Sequence, residues 1–158
     1  MLRNLKNSGF TTDELITVYK TMIRPVADYG AVVYHSSLTD AQDELLDNLQ
    51  NTALKCIFGP ELSARKLREM AGITTLRARR ENMCDKFALK CIGNPIFARW
   101  FPLKMTRTSA RQGKQPEIYK EYKARCNRLM NSPFYYFRRR LNSKEGKIYG
   151  KRYEDYRK

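Results

Sequence analysis

Apolar residues recur at helical spacing from residue 15 to residue 33, and the pattern predicts a helix that begins at Thr12. Thr11 and Glu14 have the spacing of a capping box ahead of it. Pro25 lies inside the pattern, and we expect it to kink the helix rather than end it, because the apolar stripe continues in phase on both sides. The expected inward stripe comprises Leu15, Val18, Tyr19, Met22, Val26, Tyr29, Gly30 and Val33.

A second capping box, Thr39 with Gln42, predicts a longer helix that stops at Gly59, followed by Pro60. Its expected inward stripe comprises Leu45, Leu46, Leu49, Ala53, Leu54 and Ile57. Asp40, Asp43, Glu44 and Asp47 cluster at its start. We expect these acidic side chains to complement the helix dipole rather than to bind a metal ion.

Two more helices are predicted before residue 95. Ser63 is the expected N-cap of a short helix that Gly72 ends in the left-handed conformation. Thr74 is the expected N-cap of a fourth helix, closed by Gly93 and Pro95. The expected inward residues are Leu67, Met70 and Ala71 in the short helix and Leu76, Met83, Cys84, Phe87, Ala88, Cys91 and Ile92 in the fourth.

No segment of residues 1–95 alternates like a β-strand, so we predict an all-α protein whose first domain, 1–95, is a compact helical bundle. The second predicted domain, 96–158, is a basic, aromatic-rich and partly helical extension. Within it, residues 104–115 are expected to form a linker, and the residues from Ser143 onward are expected to be frayed. Pro116 can begin a helix with Ile118, Tyr122, Cys126 and Leu129 on one face.

The positive charge of the chain is concentrated in this extension. The net charge is +15, yet residues 1–95 hold 13 Lys and Arg against 11 Asp and Glu, whereas residues 96–158 hold 18 against 5. A strongly basic segment favours a polyanion partner, either nucleic acid or an anionic membrane surface. Twelve of the 18 aromatic residues lie in the same segment, which favours nucleic acid, because rings stack on bases while arginines neutralise phosphates. For Trp100 and Phe101, packing onto the helices as an extended core is an equal alternative.

The sequence lacks a run of 18 apolar residues and a signal-peptide pattern, so we expect an intracellular protein of the cytoplasm or nucleus. The four cysteines, Cys56, Cys84, Cys91 and Cys126, include no pair spaced two to four residues apart, and His35 is the only histidine. We therefore expect no zinc site, and no other metal or cofactor. Cys84 and Cys91 are expected as reduced thiols on one helix face, and His35 is expected to be structural or solvated.

Two phrases carry a family resemblance. The first comprises Val18, Tyr19, Ile23, Arg24, Pro25, Asp28, Tyr29, Gly30, Val33 and Tyr34, and the second comprises Gly72, Ile73, Leu76, Arg79 and Arg80. In order and spacing they resemble the thumb of non-LTR retrotransposon reverse transcriptases of the jockey-like group, with Tyr34 in place of the usual Trp. Residues 131–142, NSPFYYFRRRLN, also resemble a recurrent phrase near the end of these polymerases.

The resemblance implies a C-terminal fragment of an RNA-directed DNA polymerase, because Met1 falls where the thumb begins and the fingers and palm would precede it. Such polymerases use an aromatic-x-Asp-Asp turn to hold two metal ions, and this chain has no adjacent Asp pair. We therefore expect no catalytic residues and no enzymatic activity of the chain by itself. The implied partners are RNA, DNA or an RNA–DNA hybrid and the fingers and palm of the same polyprotein, but no membrane.

The thumb of the family lies along the primer–template duplex, which implies contacts driven by shape and phosphate charge. The candidate nucleic-acid-binding residues are Arg65, Lys66, Arg68, Arg77, Tyr135, Tyr136, Arg138, Arg139 and Arg140. For the first four, a solvated surface is an equal alternative. One of Arg79 and Arg80 is expected to lie near the apolar stripe, where it can pair with Asp28.

Three other interpretations stay open. The same residues would serve a stand-alone RNA- or DNA-binding protein derived from a mobile element. A non-functional relic of such an element would keep the folded bundle without a selected role. A peripheral membrane protein is disfavoured, because the basic segment lacks a clean apolar face opposite its charges.

Overall fold

A computed structural model describes residues 1–102, 119 and 125–143. These residues form helices and turns, which confirms the predicted all-α class. The elements are, in chain order, α1 (Leu2–Asn7), α2 (Thr12–Val18), a π-helical turn (Tyr19–Ile23), α3 (Arg24–Asp28), α4 (Ala31–Tyr34), a 3₁₀ turn (His35–Ser37), α5 (Asp40–Phe58), α6 (Ala64–Ala71), α7 (Leu76–Gly93), α8 (Pro95–Ala98), α9 (Asn127–Met130) and α10 (Pro133–Asn142).

The chain packs as two compact units. The first unit comprises residues 1–31 and 38–81, and the second unit comprises residues 32–37 together with the described residues from 82 onward. The expected division into domains 1–95 and 96–158 stays a prediction. The expected linker at 104–115 and the expected frayed end after Ser143 lie outside the described residues.

Local capping signals set the helix starts as predicted. Thr11 donates its backbone N–H to Glu14 Oε2 at 2.8 Å, and Glu14 returns its N–H to Thr11 Oγ1 at 3.4 Å, which completes the first capping box. Thr39 and Gln42 form the second box in the same way, with bonds of 3.0 and 3.3 Å. At the end of α6, Gly72 has the left-handed conformation expected for it, with φ of 61°.

The start of α7 differs from the prediction by one residue. Thr75 Oγ1 accepts the N–H of Ala78 at 3.1 Å, so Thr75 caps the helix and the prediction of Thr74 is wrong. Thr74 is held outside the helix by its carbonyl, which accepts a bond of 3.0 Å from Gln50 Nε2. Two adjacent threonines offer the same cap chemistry, and bonds to residues distant in sequence distinguish them.

The apolar stripe around Pro25 does not continue in phase. Leu15 and Tyr19 are buried as predicted, but Met22, Val26 and Tyr29 are 61%, 75% and 87% exposed. The cause is the π-helical turn immediately before the proline segment, since a π turn adds one residue and rotates all that follows by about 100°. Beyond the turn, Ile23 and Ala27 are partly buried in place of Met22 and Val26, and Asp28 is buried in place of Tyr29.

The predicted inward face of α5 is also partly wrong. Leu45 and Leu49 are exposed, and so is Met70 of α6, whereas Asp43 and Gln50 are buried. A prediction from apolar spacing places polar residues on the solvent-exposed face. A polar side chain can nevertheless be buried where its hydrogen bonds are satisfied. Gln50 meets that condition, because it donates to Thr74 and accepts from the Tyr19 hydroxyl at 3.3 Å.

The first unit has a mainly aliphatic core. Its buried members are Leu2, Leu15, Tyr19, Leu54, Ile57, Leu67 and Ala71. Lys6 of α1 closes the end of α5 by donating to the carbonyls of Cys56 and Ile57 at 3.1 and 2.9 Å. A lysine is favourable there, because the terminal carbonyls of a helix lack partners within the helix and carry partial negative charge.

The second unit has a core of thiols and aromatic rings. Its buried members are Cys84, Ala88, Cys91, Phe101, Phe137 and Leu141. The two cysteines share one face of α7 as predicted, and burial raises the pKa of the Cys91 thiol, which keeps it protonated. Trp100 lies edge-on to Phe134 with ring centroids 4.4 Å apart, so the core alternative for Trp100 and Phe101 is confirmed.

The predicted helix from Pro116 falls mostly outside the described residues. Of the four residues expected on one face of that helix, Cys126 and Leu129 are described, and both are exposed. Cys126 has an extended backbone and is the N-cap of the short helix α9, which contains Leu129, so the expectation that one helix from Pro116 carries both residues is wrong.

Candidate nucleic-acid interface

The two phrases of the family resemblance meet in an ion pair. Arg79 Nε lies 2.5 Å from Asp28 Oδ2, and the Asp28 side chain is almost fully buried. Burial and then the neighbouring Arg79 charge lower the pKa of Arg24, which lies beside this pair. The expected bond from the Arg-Arg phrase to Asp28 is therefore present, and Arg79 makes it.

Arg80, the second arginine of that phrase, is the fully buried one, and it pairs with Asp43 rather than with Asp28. Its side chain has no exposed surface, and its Nη2 donates to Asp43 Oδ1. Arg77 approaches the other oxygen of the same carboxylate, with its Nε 3.4 Å from Oδ2. A buried cation requires such a counter-ion, because transfer of an unpaired charge out of water is very costly.

Asp43 and Asp47 therefore do more than complement the helix dipole. Asp40 and Asp43 occupy the first turn of α5 as that expectation requires, but Asp43 is also the counter-ion of Arg80. Asp47 Oδ1 accepts the N–H of Leu76 at 3.0 Å, which fixes the start of α7. The sequence signal for these roles was the spacing of Asp43, Asp47 and Gln50 in phase with Leu54 and Ile57.

The candidates in the first unit divide into exposed and engaged side chains. Arg65 and Lys66 of α6 are exposed. Arg68 is partly buried, and its Nη1 donates to Asn51 Oδ1 at 3.0 Å. Arg77 contacts both Asp43 and Glu81, although about half of its side chain is exposed. Of the four candidates in the first unit, Arg65 and Lys66 are therefore the most accessible to an external ligand.

The arginine triplet of α10 points in different directions. Arg138 is buried, and its guanidinium donates twice to the Trp100 carbonyl, with 2.9 Å from Nε. Arg140 forms a bidentate salt bridge with Asp85, in which Nε and Nη2 lie 3.0 and 2.7 Å from the two carboxylate oxygens. Arg139 is exposed, and among the described residues it donates to the Met130 carbonyl, at 3.2 Å.

The two tyrosines of the candidate set are also part of the packing. The Tyr136 hydroxyl lies 3.1 Å from His35 Nε2, and the two rings meet edge to face. Tyr135 is half-buried, with the Arg138 guanidinium 5.7 Å from its ring centroid. His35 is buried in this arrangement, so of its two expected roles the structural one is confirmed.

The segment 131–142, to which the sequence assigned no chemistry, organises the second unit. The Asn131 carbonyl accepts from the Ser36 hydroxyl at 2.7 Å, and Asn142 exchanges two bonds of 3.0 Å with the backbone of Tyr119. Arg138 and Arg140 bond to Trp100 and Asp85 from the same helix. Its arginines and tyrosines are thus mainly structural.

Sequence reasoning missed Arg125 and Arg128, which are exposed on either side of Cys126. Within the described ranges, no three His, Cys, Asp or Glu side chains are grouped as metal ligands, and no helix has the length and apolar character to cross a bilayer.

No family model matches the sequence, and no curated protein or solved structure matches it.

Proposed function

We propose that this chain binds nucleic acid without sequence preference, as the thumb and C-terminal extension of a non-LTR retrotransposon reverse transcriptase. The observation that carries the proposal is unbalanced positive charge, with 18 Lys and Arg against 5 Asp and Glu in residues 96–158. Phosphate neutralisation with counterion release is the main source of non-specific affinity for nucleic acids.

The Asp28–Arg79 pair supports the thumb interpretation. The resemblance rests on an Asp-Tyr-Gly phrase and an Arg-Arg phrase that lie about fifty residues apart in sequence, and a 2.5 Å contact joins them. Two phrases that contact each other have a shared structural reason to occur together. This supports treating them as one signature rather than as two unrelated short matches.

In this proposal the chain contributes binding and no chemistry. It has no adjacent Asp pair, and the two-metal reaction would use carboxylates supplied by the palm of the same polyprotein. RNA, DNA and RNA–DNA hybrids share the phosphate backbone that such a surface recognises. A stand-alone, element-derived RNA- or DNA-binding protein of the cytoplasm or nucleus is the second candidate, and the same charge distribution favours it.

Fluorescence anisotropy with labelled single-stranded DNA, single-stranded RNA and an RNA–DNA hybrid tests the proposal. We expect binding to all three, with the logarithm of the association constant falling linearly as the logarithm of salt concentration rises. If roughly five phosphates are neutralised, the slope is about −3.5 to −4.5. Primer extension with magnesium and nucleotides, run on the same sample, is expected to give no product.

Absence of binding to all three ligands at low salt would overturn the proposal and favour a relic without function. Binding with a slope near zero would also contradict it, because affinity would then not come from phosphate contacts. Nucleotide incorporation that a single acidic-to-neutral substitution abolishes would contradict the non-catalytic part alone.

A further inference from the structure

Residues 122–144 contain seven Lys or Arg and no Asp or Glu. The structure divides the described members of this run into two groups. Arg138 and Arg140 are satisfied inside the second unit by the Trp100 carbonyl and the Asp85 carboxylate. Arg125, Arg128 and Arg139 are exposed. The count of basic residues therefore overstates the charge that is available to a ligand.

The three exposed arginines lie around one short helix. Arg128 is in α9, and Arg125 precedes Cys126, which is the N-cap of that helix. Arg139 reaches the same helix from α10, because its Nη2 donates to the carbonyl of Met130 at 3.2 Å. The described part of the chain pairs none of the three with a carboxylate.

Like charges around one short helix repel one another, and solvent and salt screen the repulsion. A ligand that carries several negative charges at once relieves it and releases counterions. Guanidinium groups suit phosphate in particular, since their planar donors match its oxygens two at a time. The arrangement fits a phosphodiester strand better than a single small anion.

We propose that Arg125, Arg128 and Arg139 form an arginine edge that binds the phosphate backbone of a nucleic-acid strand. This rests on the proposed function and specifies where in the second unit it is carried out.

The main rival ligand is an anionic membrane surface. A helix that lies in a membrane interface needs a long apolar face, and α9 has four residues. Its exposed apolar side chains are Leu129 and Met130, at 44% and 42% exposure. Phosphate binding needs no such face, so the structure favours nucleic acid.

The test compares two triple variants of the full chain by anisotropy against a labelled single-stranded oligonucleotide. Arg125→Ala, Arg128→Ala and Arg139→Ala together remove three charges from the edge. Arg3→Ala, Lys20→Ala and Lys55→Ala remove three charges from exposed positions of the first unit and form the matched control. In the edge variant, we expect the slope of log association constant against log salt concentration to become shallower by about 2. We also expect its affinity at low salt to fall about tenfold or more. The control variant should keep a slope and an affinity close to those of the parent chain.

Equal losses of affinity in the two triple variants would overturn the assignment of binding to the arginine edge. They would leave the proposed function intact, because binding would then be spread over the surface. No binding by the parent chain would refute the proposed function itself. Loss of binding to phosphatidylserine vesicles in the edge variant, with oligonucleotide binding unchanged, would assign the edge to membranes and overturn the inference.

Replacement of the same three arginines by lysine keeps the charge, and we expect it to keep a slope close to that of the parent. If the lysine variant lost as much affinity for the oligonucleotide as the alanine variant, binding through the positive charge of the edge would be contradicted. The fluorescence of Trp100, which lies in the second unit, verifies in each case that the unit remains folded.

Discussion

The two units give their buried arginines different partners. In the first unit, Arg80 is fully buried and has the Asp43 carboxylate as its counter-ion. In the second unit, whose interior consists of rings and thiols, the buried Arg138 bonds to a backbone carbonyl and the partly buried Arg140 pairs with Asp85. The comparison shows that carboxylates and carbonyls within the fold engage several arginines, so the number of arginines in a segment does not measure the charge that is available to a ligand.

The interior of the second unit should be the most sensitive to loss of volume. We expect Phe137→Ala to lower its free energy of unfolding by about 3–5 kcal/mol, because the buried ring packs against several others and its removal leaves a cavity. Urea unfolding followed by Trp100 fluorescence measures this, since Trp100 is the only tryptophan. The control Phe10→Ala, at an exposed ring of the first unit, should change stability by less than about 1 kcal/mol. A comparable loss in both variants would remove the contrast.

In the first unit, loss of the buried Arg80–Asp43 ion pair is expected to reduce stability. Arg80→Met should cost about 3 kcal/mol, near the lower end for breaking a buried ion pair, because Arg77 remains 3.4 Å from Asp43. Urea unfolding followed by circular dichroism measures the loss. The double variant Arg80→Met, Asp43→Leu should recover most of it, since no buried charge is then left alone. A double variant no more stable than the single one would contradict this account.

Adjacent arginines of α10 should differ in their contribution to stability. Arg140→Ala should lower the free energy of unfolding by about 1.5–3 kcal/mol, because two charge-assisted bonds to Asp85 are lost. Arg139→Ala should stay within about 0.5 kcal/mol of the parent, since Arg139 is exposed. A double-mutant cycle with Asp85→Ala isolates the pair. Equal effects at the two arginines would show that the triplet is not divided into structural and exposed members.

The cap of α7 gives a smaller test of the same kind. Thr75→Ala should destabilise the first unit by about 1 kcal/mol, because the N–H of Ala78 loses its acceptor. Thr74→Ala should have little effect, since Thr74 contributes its carbonyl and not its side chain. Thermal unfolding of the two variants side by side decides between them. A larger loss at Thr74 would restore the original cap prediction.

The smallest expected effect is a pH dependence at α2. Hydrogen bonds from the Thr11 backbone and hydroxyl lower the pKa of Glu14, so the folded state favours the ionised carboxylate. Its stabilisation is present above the ordinary pKa of a glutamate and is lost as pH falls through the lowered value.

Glu14→Gln keeps a box of the type that Gln42 forms at α5, but without the titration. The difference in melting temperature between parent and variant should therefore shrink as pH falls from about 6 to about 3. Parallel curves over that range would contradict the assignment.

The sequence predicted helix boundaries better than helix faces. Caps such as Thr39 and Gly72 act within a few residues, so their chemistry is readable in a short window. Faces depend on partners far along the chain: Asp43 and Gln50 are inward because Arg80 and Thr74 bond to them. The candidate site followed the same rule, since the partners of Arg138 and Arg140 lie 38 and 55 residues away.

The π-helical turn at Tyr19–Ile23 has a consequence for how this chain tolerates change. Such a turn is what one inserted residue produces in an α-helix, and a deletion of one residue there would restore regular α geometry. The restored helix would turn Asp28 by about 100°, away from Arg79, and would bring the exposed Val26 to the interior. A single-codon deletion in this segment would thus exchange an ion pair for apolar contacts, whereas substitutions at the same positions would leave the register unchanged.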